Sequence, residues 1–200
     1  MKMNQNLRLI PSRLVWVVLI ASMFSTQMNG QAINEGFGNI NTLFTSGWAQ
    51  QNLSTTIGTI PGWFQGNPTV FPANSLPDTA YIGANFNNTA GTNTISNWLF
   101  TPNRTFNNGD VISFYTRGPA TSNYPDRLEV RLSLSGASVN AGATSTSVGD
   151  FTTVLVTVNS ALTVGGYPAT WTQFSATISG LTGPTSGRVA FRYFVTAGGP

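Results

Sequence analysis

The sequence predicts an all-β protein, an antiparallel β-sandwich of jelly-roll type. Three observations lead to this fold class. Short stretches alternate apolar and polar residues with a period of two, as half-buried strands do. Turn-forming Gly, Pro, Asn and Asp separate these stretches. From residue 33 onward the chain has 17 Asn, 15 Ser and 26 Thr but few of the Lys, Glu and Leu that fill surface helices, so helix is disfavoured.

The first 32 residues have the pattern of a secretory signal peptide. A positively charged start is followed by an apolar run of 11 residues, 14–24, and then by Gly30-Gln31-Ala32, which resembles a cleavage site. The run is shorter than the roughly 20 apolar residues that cross a bilayer. We therefore predict a signal peptide at 1–32 and a secreted or cell-surface mature chain without a membrane span; an uncleaved anchor is the alternative.

Charge and residue usage exclude several classes of protein. The net charge of +3 belongs to the leader, because residues 33–200 contain six Arg and six acidic residues. A neutral domain lacks the basic surface that nucleic-acid binding requires, so no nucleic-acid partner is expected. The chain has no Cys and no His, and its only Lys is Lys2. Disulfides, Cys/His zinc sites, thiol nucleophiles and His-based triads are therefore excluded.

Five segments have the clearest strand patterns. In 127–134 the leucines and Val130 occupy one face and the charged residues the other, which predicts a solvated, ion-paired face formed by Arg127, Glu129 and Arg131, with Arg192 beside them. The last segment has apolar residues on both faces, which is typical of a central strand. The five segments are 111–117, 127–134, 151–158, 171–178 and 187–196.

The remaining segments favour irregular structure. Aromatic residues in 41–93 lie among Pro, Gly and Asn, so we expect irregular strands and loops there. The segment from Ser135 to Gly149 is rich in Ser, Ala, Gly and Thr, which predicts a long exposed loop. One domain of ordinary size fits the residues that follow the leader.

A succession of segments resembles the bacterial choice-of-anchor J domain, which is related to the cleaved adhesin domains of secreted proteases. No segment is specific by itself, but their order and spacing match over about residues 33–197. The segments are Asn34-Glu35-Gly36-Phe37, Ser46-Gly47-Trp48, Trp98-Leu99-Phe100-Thr101-Pro102, Gly109-Asp110-Val111-Ile112-Ser113-Phe114, Pro125-Asp126-Arg127-Leu128-Glu129-Val130-Arg131-Leu132-Ser133 and Trp171-Thr172-Gln173-Phe174.

The resemblance implies a jelly-roll sandwich, export or surface attachment, and an adhesive or matrix-associated role. It also implies one more strand beyond Pro200, so residues 33–200 are expected to be a jelly-roll domain truncated at its C-terminal end and lacking its last strand. Members of the family often carry an acidic residue just before the Trp of the third segment. This sequence has Asn97 there, which puts any metal-binding or partner-binding role of that position in doubt.

The acidic residues give little support to catalysis. A glycosidase needs two carboxylates that face each other across about 5–10 Å. Asp126 and Glu129 are the only close pair, but three residues apart on a strand they point to opposite faces. A Ser nucleophile would have no His or Lys of the mature chain as its base. We therefore expect no enzyme activity.

Calcium binding is a more credible role for these acidic residues than catalysis, because Ca²⁺ accepts carboxylate, carbonyl and amide oxygens in loose geometry. Glu35 is the first candidate ligand, by analogy with jelly-roll domains in which an N-terminal acid meets one near the C-terminus. Asp126 is the second. The alternatives are a solvated terminal residue for Glu35 and a turn cap for Asp126.

Loop aromatic residues are candidates for ligand contact. Trp63 and Tyr124 are the residues that we expect to bind a ligand, although a loop aromatic more often covers the core. The sequence thus predicts a noncatalytic exported adhesion or extracellular-matrix domain that binds protein or glycan partners. The alternative is an accessory carbohydrate-binding module of a secreted hydrolase.

Overall fold

The computed structural model describes residues 32–198, and the predicted signal peptide lies outside them except for Ala32. These residues form ten strands and three short 3₁₀ helices of three residues each. The helices span Ile40–Thr42, Phe44–Ser46 and Phe86–Asn88. The strands are β1 (Ala49–Asn52), β2 (Phe64–Gln65), β3 (Ile82–Gly83), β4 (Ile95–Phe100), β5 (Arg104–Phe106), β6 (Val111–Thr116), β7 (Leu128–Ser133), β8 (Thr153–Val158), β9 (Thr172–Thr177) and β10 (Thr185–Val195).

A six-stranded antiparallel sheet forms one layer. Its strand order is β1-β4-β10-β7-β8, and β5 pairs with the first residues of β10. Except for β7 and β8, neighbours in this sheet are not consecutive in the chain, as in the crossed connections of Greek-key and jelly-roll sandwiches. β10 pairs with three strands, which confirms the central position that its two apolar faces predict.

Two small antiparallel pairs, β2-β3 and β6-β9, form the opposite layer. Ile112 and Phe114 of β6 pack on the core cluster that contains Val130 and Val189 of the six-stranded sheet. All pairings are antiparallel and the core lies between the layers, so the predicted all-β antiparallel sandwich is confirmed.

Period-2 alternation places the apolar residues of β7 in this core. Leu128, Val130 and Leu132 are all buried on the side of the second layer. Because side chains of a strand alternate between the two faces, Glu129 and Arg131 must lie on the opposite face. There they are joined by Arg192, whose backbone is paired with that of Glu129.

The prediction of a solvated charged face is wrong. Glu129 is only 8% exposed and Arg192 only 1%. The connection between β7 and β8, residues 134–152, folds over this face, and we call it the covering loop. The Arg192 Nη2 donates a hydrogen bond to the Ser145 carbonyl at 2.5 Å, and the Arg131 Nη1 donates to the Phe151 carbonyl at 3.2 Å.

The covering loop also has an apolar anchor. Ala141 and Phe151 are fully buried against Trp98, Phe100 and Ala190. The Phe151 ring centroid lies 5.7 Å from that of Trp98 and 5.0 Å from that of Phe100. The segment predicted as an exposed loop therefore has no regular strand, but it closes a second small core on the outer face of the six-stranded sheet.

Gly149 allows the covering loop to fold back on itself. Its φ is +50°, and an added Cβ would lie 2.1 Å from the carbonyl oxygen of Asn140. The neighbouring Asp150 backbone N–H donates to that carbonyl, at 2.9 Å. Only glycine fits such a close approach of two backbone segments.

Candidate functional site

A long groove of about 1690 Å³ lies between the two small strand pairs of the second layer. Its floor lies over one face of β10, formed by Val189, Phe191, Tyr193 and Val195, all of which except Phe191 are buried. Consecutive residues of two segments, 80–86 around β3 and 111–118 along β6, line its sides. The groove therefore lies in the second layer of the sandwich, above residues of the central strand that other side chains already cover.

An aromatic cluster spans one end of this groove and joins its two sides. Phe71 and Tyr81 belong to the β2-β3 side, and Trp171 precedes β9 on the other side. The Phe71 ring centroid lies 5.0 Å from that of Tyr81 and 5.8 Å from that of Trp171. The Arg117 guanidinium, just after β6, lies 4.4 Å from the Phe71 ring centroid. These contacts fix the spacing between the two sides of the groove.

Asp126 lies in the groove and contacts its floor. Tyr193 is on β10, and its hydroxyl donates a hydrogen bond to Oδ1 of Asp126 at 2.6 Å. Burial raises the pKa of Asp126, and the hydrogen bond from Tyr193 only partly opposes this effect. Burial, together with the charge of Asp126, raises the pKa of Tyr193, so its hydroxyl stays protonated and remains a donor.

A second tyrosine stands beside this pair. The hydroxyl groups of Tyr167 and Thr116 share a hydrogen bond of 2.6 Å, in which either oxygen can donate. Burial raises the pKa of Tyr167, and the charge of Asp126 adds to the shift. Asp126, Tyr167 and Tyr193 thus form a polar cluster of one carboxyl and two phenol groups at the groove, in which Tyr193 is buried and the other two residues are half-buried.

Glu35 lies at the groove in the N-terminal segment. Its Oε1 accepts a hydrogen bond from the backbone N–H of Phe37 at 2.7 Å. Gln65 of β2 ties this segment to the groove side, because its Nε2 donates to the carbonyl of Phe37 at 2.8 Å and its Oε1 accepts from the N–H of Ile40 at 2.9 Å. Glu35 therefore caps its own turn beside the groove.

The two predicted ligand-binding aromatics also line the groove, in different surroundings. Tyr124 is 79% exposed and lies in the connection between β6 and β7. Trp63 immediately precedes β2 and is half-buried, because it packs on the clusters around Leu43 and Ile95. Trp63 thus contributes to the core as well as to the groove surface, whereas Tyr124 is free to contact a ligand.

All four residues singled out from the sequence, Glu35, Trp63, Tyr124 and Asp126, therefore lie along one groove. Their roles as ligands stay predictions. Within residues 32–198 no group of three or more Asp, Glu, His or Cys side chains is placed to hold a metal ion. Binding of calcium by Glu35 and Asp126 stays a prediction, which would require further oxygen ligands.

The acidic residue Glu129 lies away from the groove. Glu129 is on the opposite face of the six-stranded sheet from Asp126, which agrees with the alternation of a strand.

Asn97 is fully buried in β4, and neither of its amide atoms has a hydrogen-bond partner in the described part of the chain. A side chain at this position faces the interior and does not reach a partner at the surface.

Sequence reasoning did not identify the contacts that shape the groove. Tyr193 lies on the predicted central strand, but its hydrogen bond to Asp126 joins residues 67 positions apart. The aromatic cluster likewise joins Phe71 to Trp171, for which no local pattern exists. Turn and strand signals report on near neighbours, so contacts of this kind have no signal in one sequence.

No helix in residues 32–198 is long and apolar enough to cross a membrane. The predicted leader lies outside these residues except for Ala32.

Comparisons with known proteins give one structural likeness. No model of a protein family matches the chain, and no curated protein matches it. Among solved structures, the K1 cleaved adhesin domain of Lys-gingipain (Kgp) from Porphyromonas gingivalis W83 is similar, with 20% sequence identity and a TM-score of 0.47. The match covers 76% of this chain and 82% of that one. The resemblance to the choice-of-anchor J family stays a prediction.

Proposed function

We propose that this chain is a noncatalytic, exported binding domain that works in adhesion or in the extracellular matrix and engages its partners through the groove. The observation that carries the proposal is the groove itself. It is open, about 1690 Å³ in volume, and lined by aromatic, aliphatic and amide side chains. Such a surface suits recognition by shape and hydrogen bonds.

The arrangement of carboxylates supports binding over catalysis. Two acidic residues line the groove, Glu35 and Asp126. The carboxylate of Glu35 is bonded to the backbone of its own turn, and that of Asp126 to the hydroxyl of Tyr193. The other close acid, Glu129, is covered on the far face of the sheet, where it holds Arg131 and Arg192. Each carboxylate of the groove thus already accepts a hydrogen bond from the domain itself.

A binding survey tests this proposal. The purified protein is applied to a glycan array and to immobilised extracellular-matrix proteins, beside the variant Tyr124→Ala. Because Tyr124 is largely exposed and lies on the groove, its loss should weaken binding about tenfold without unfolding the domain, as expected for a truncated contact aromatic. Trp63→Phe should weaken binding less, because it keeps the core contacts of the ring.

Phe44→Ala is the matched control, because Phe44 is 41% exposed and lies outside the groove. Its binding should equal that of the parent protein. Equal binding by the parent and by the Tyr124 variant would place the partner elsewhere on the surface. Binding to glycans alone would favour an accessory carbohydrate-binding module, and no binding to either class would contradict the proposal.

A further inference from the structure

Two side chains beside the groove carry buried polar atoms that have no hydrogen-bond partner. Within residues 32–198, three of the four buried side-chain atoms of this kind belong to Asn97 and Trp63: both amide atoms of Asn97 and the indole Nε1 of Trp63. Asn97 is 0% exposed, and Trp63 is half-buried. Buried polar groups in folded proteins are nearly always bonded, because an unpaired group loses its hydrogen bonds to water without replacement. A partner for these three atoms is therefore expected.

Asn97 faces the second layer of the sandwich. The next residue of β4, Trp98, packs on Phe151 of the covering loop, so alternation directs Asn97 to the other face. The antiparallel register places Asn52 of β1 and Tyr193 of β10 directly beside it on that face. The amide thus lies in the middle of the sheet, on the side of the groove.

The polar neighbours of Asn97 in the sheet are directed to other partners. Asn52 Nδ2 donates to the carbonyl of Asn88 at 2.8 Å, and the Tyr193 hydroxyl donates to Asp126 at 2.6 Å. Neither neighbour bonds to the Asn97 amide. The partner of this amide therefore comes from above the sheet.

Trp63 lies above this part of the sheet. Its backbone N–H donates to Oε1 of Gln50 at 2.9 Å, and Gln50 is paired with Leu99 of β4. Its side chain also packs on the cluster around Ile95. Leu99 and Ile95 stand on either side of Asn97 on one face of β4, so the indole extends over the position of Asn97.

The unpaired atoms of the two side chains suit one water molecule. The indole Nε1 is a donor, and the amide offers a donor at Nδ2 and an acceptor at Oδ1. A water between them would accept from both N–H groups and donate to Oδ1, which satisfies all three atoms and gives the water about three hydrogen bonds, the usual number for a buried water. A metal cation does not suit the site, because two of the three groups are N–H donors.

We propose that Asn97 and Trp63 together bind one internal water molecule, which holds the Trp63 ring in the wall of the groove. Trp63 lines the groove, whereas Asn97 does not reach its surface. Asn97 is therefore a positioning residue that acts through the water on a groove aromatic. This inference goes beyond the proposed binding function and does not depend on it.

A high-resolution crystal structure and NMR of the parent protein test the water directly. The crystal structure should show one ordered water within about 3.2 Å of Trp63 Nε1 and of the Asn97 amide. In protein with isotope-labelled tryptophan, the Trp63 indole proton should show cross-relaxation with a long-lived bound water. Trp63→Phe identifies that signal, and Asn97→Leu, which keeps the shape of the side chain, should abolish the cross-relaxation.

Thermal melts test whether the two side chains share the water. Asn97→Leu leaves the indole N–H unpaired in the parent, but in the Trp63→Phe background it removes the last buried polar group of the site. The change in Tm caused by Asn97→Leu should therefore be more favourable in the Trp63→Phe background, by about 2–4 °C. Trp171→Phe is the matched control background, since the Trp171 indole already donates to the Pro72 carbonyl at 2.9 Å. There Asn97→Leu should change the Tm as it does in the parent.

Several results would overturn the inference. One is a crystal structure without the water, or with a direct hydrogen bond between the Trp63 indole and the Asn97 amide. Another is cross-relaxation that persists in Asn97→Leu. Equal Tm changes in the three backgrounds would show that the two side chains are not linked. If Asn97→Leu does not fold, the crystal structure and the NMR signal of the parent still decide. None of these results bears on whether the groove binds a partner.

Discussion

Replacing Glu129 by glutamine should destabilise the domain strongly. Its Oε2 accepts hydrogen bonds from Arg131 Nε at 2.7 Å and from Arg192 Nη1 at 3.2 Å. The Arg192 guanidinium is packed between the rings of Trp98 and Phe194, at 4.9 and 3.6 Å from their centroids. Glu129 is thus the negative charge that balances a cation enclosed by aromatic rings.

The expected loss is about 3 kcal/mol in the free energy of unfolding. Removing one partner of a buried ion pair costs roughly 3–5 kcal/mol, because the other charge stays buried without compensation. Glutamine keeps an oxygen acceptor, and Arg192 keeps its bonds to Ser96 and Ser145, so the low end of that range applies. Burial lowers the pKa of Arg192 to about 10, although the charge of Glu129 opposes this shift. The guanidinium is therefore still charged at neutral pH.

Urea unfolding measures this loss, with Asp78→Asn as the control. Both substitutions remove one negative charge, but Asp78 is exposed, so the control should change stability by less than about 0.5 kcal/mol. Arg192→Met combined with Glu129→Gln should lose less than the sum of the single losses, with a coupling of about 1–3 kcal/mol. Additive losses, or a Glu129→Gln loss equal to that of the control, would refute the reasoning.

The same carboxylate predicts a pH dependence. Burial raises the pKa of Glu129, but the hydrogen bonds and charges of Arg131 and Arg192 lower it more, so the net pKa lies below its ordinary value of 4.5. The stabilisation is therefore complete above pH 4.5 and is lost as the pH falls through the lower pKa of the folded state. The stability difference between parent and Glu129→Gln should shrink across that acid range in urea titrations.

Three further predictions concern the groove and the covering loop. Asp126→Asn should raise the Tm at pH 7 and leave it unchanged near pH 3, because burial raises the pKa of Asp126 above 3.8 and the ionised form is disfavoured in the folded state; a lower Tm at pH 7 would contradict this. Phe151→Ala should cost about 3–5 kcal/mol in urea unfolding, since the ring is fully buried; a loss below 1 kcal/mol would mean that the covering loop does not hold the ring in solution. If Glu35 and Asp126 bind calcium, saturation to one hundred times the Kd should add about 2.7 kcal/mol relative to chelator, and Glu35→Gln should remove the gain; an unchanged Tm would exclude the site.

Five of the ten strands, β6 to β10, were predictable because their signal is local. The alternation of Leu128, Val130 and Leu132 placed β7 within one residue of its observed bounds, and the predicted segment 111–117 contains β6 and one further residue. Side-chain direction alternates along any strand, so a buried face appears in the sequence without knowledge of its partner. The same alternation correctly placed Asp126 and Glu129 on opposite faces.

Burial of the other face was not predictable in this way. The sequence shows that Glu129 and Arg131 share a face, but a solvated face and a covered face have the same pattern. The difference comes from Phe151 and Ala141, which anchor the covering loop on Trp98. This contact joins segments tens of residues apart, and no periodicity reports it.

In the candidate site, too, the individual residues were predictable from the sequence but their common location was not. Glu35, Trp63, Tyr124 and Asp126 were singled out for their chemistry, and all four line the groove. The sequence did not show that the groove exists, because it is the space between two strand pairs that do not pair with each other. Nor did it show that Trp63 is shared with the core.

The sequence by itself determined the fold class, five of the ten strands and which residues share a face on them, since these depend on backbone periodicity and on turn residues a few positions apart. Tertiary structure alone decided which faces are covered, which edges remain open, and what surrounds each charge. Those properties depend on pairings between distant segments, such as β4 with β10 and Asp126 with Tyr193. The sequence gives the chemical type of each side chain, but its solvation depends on which other segments of the chain pack against it.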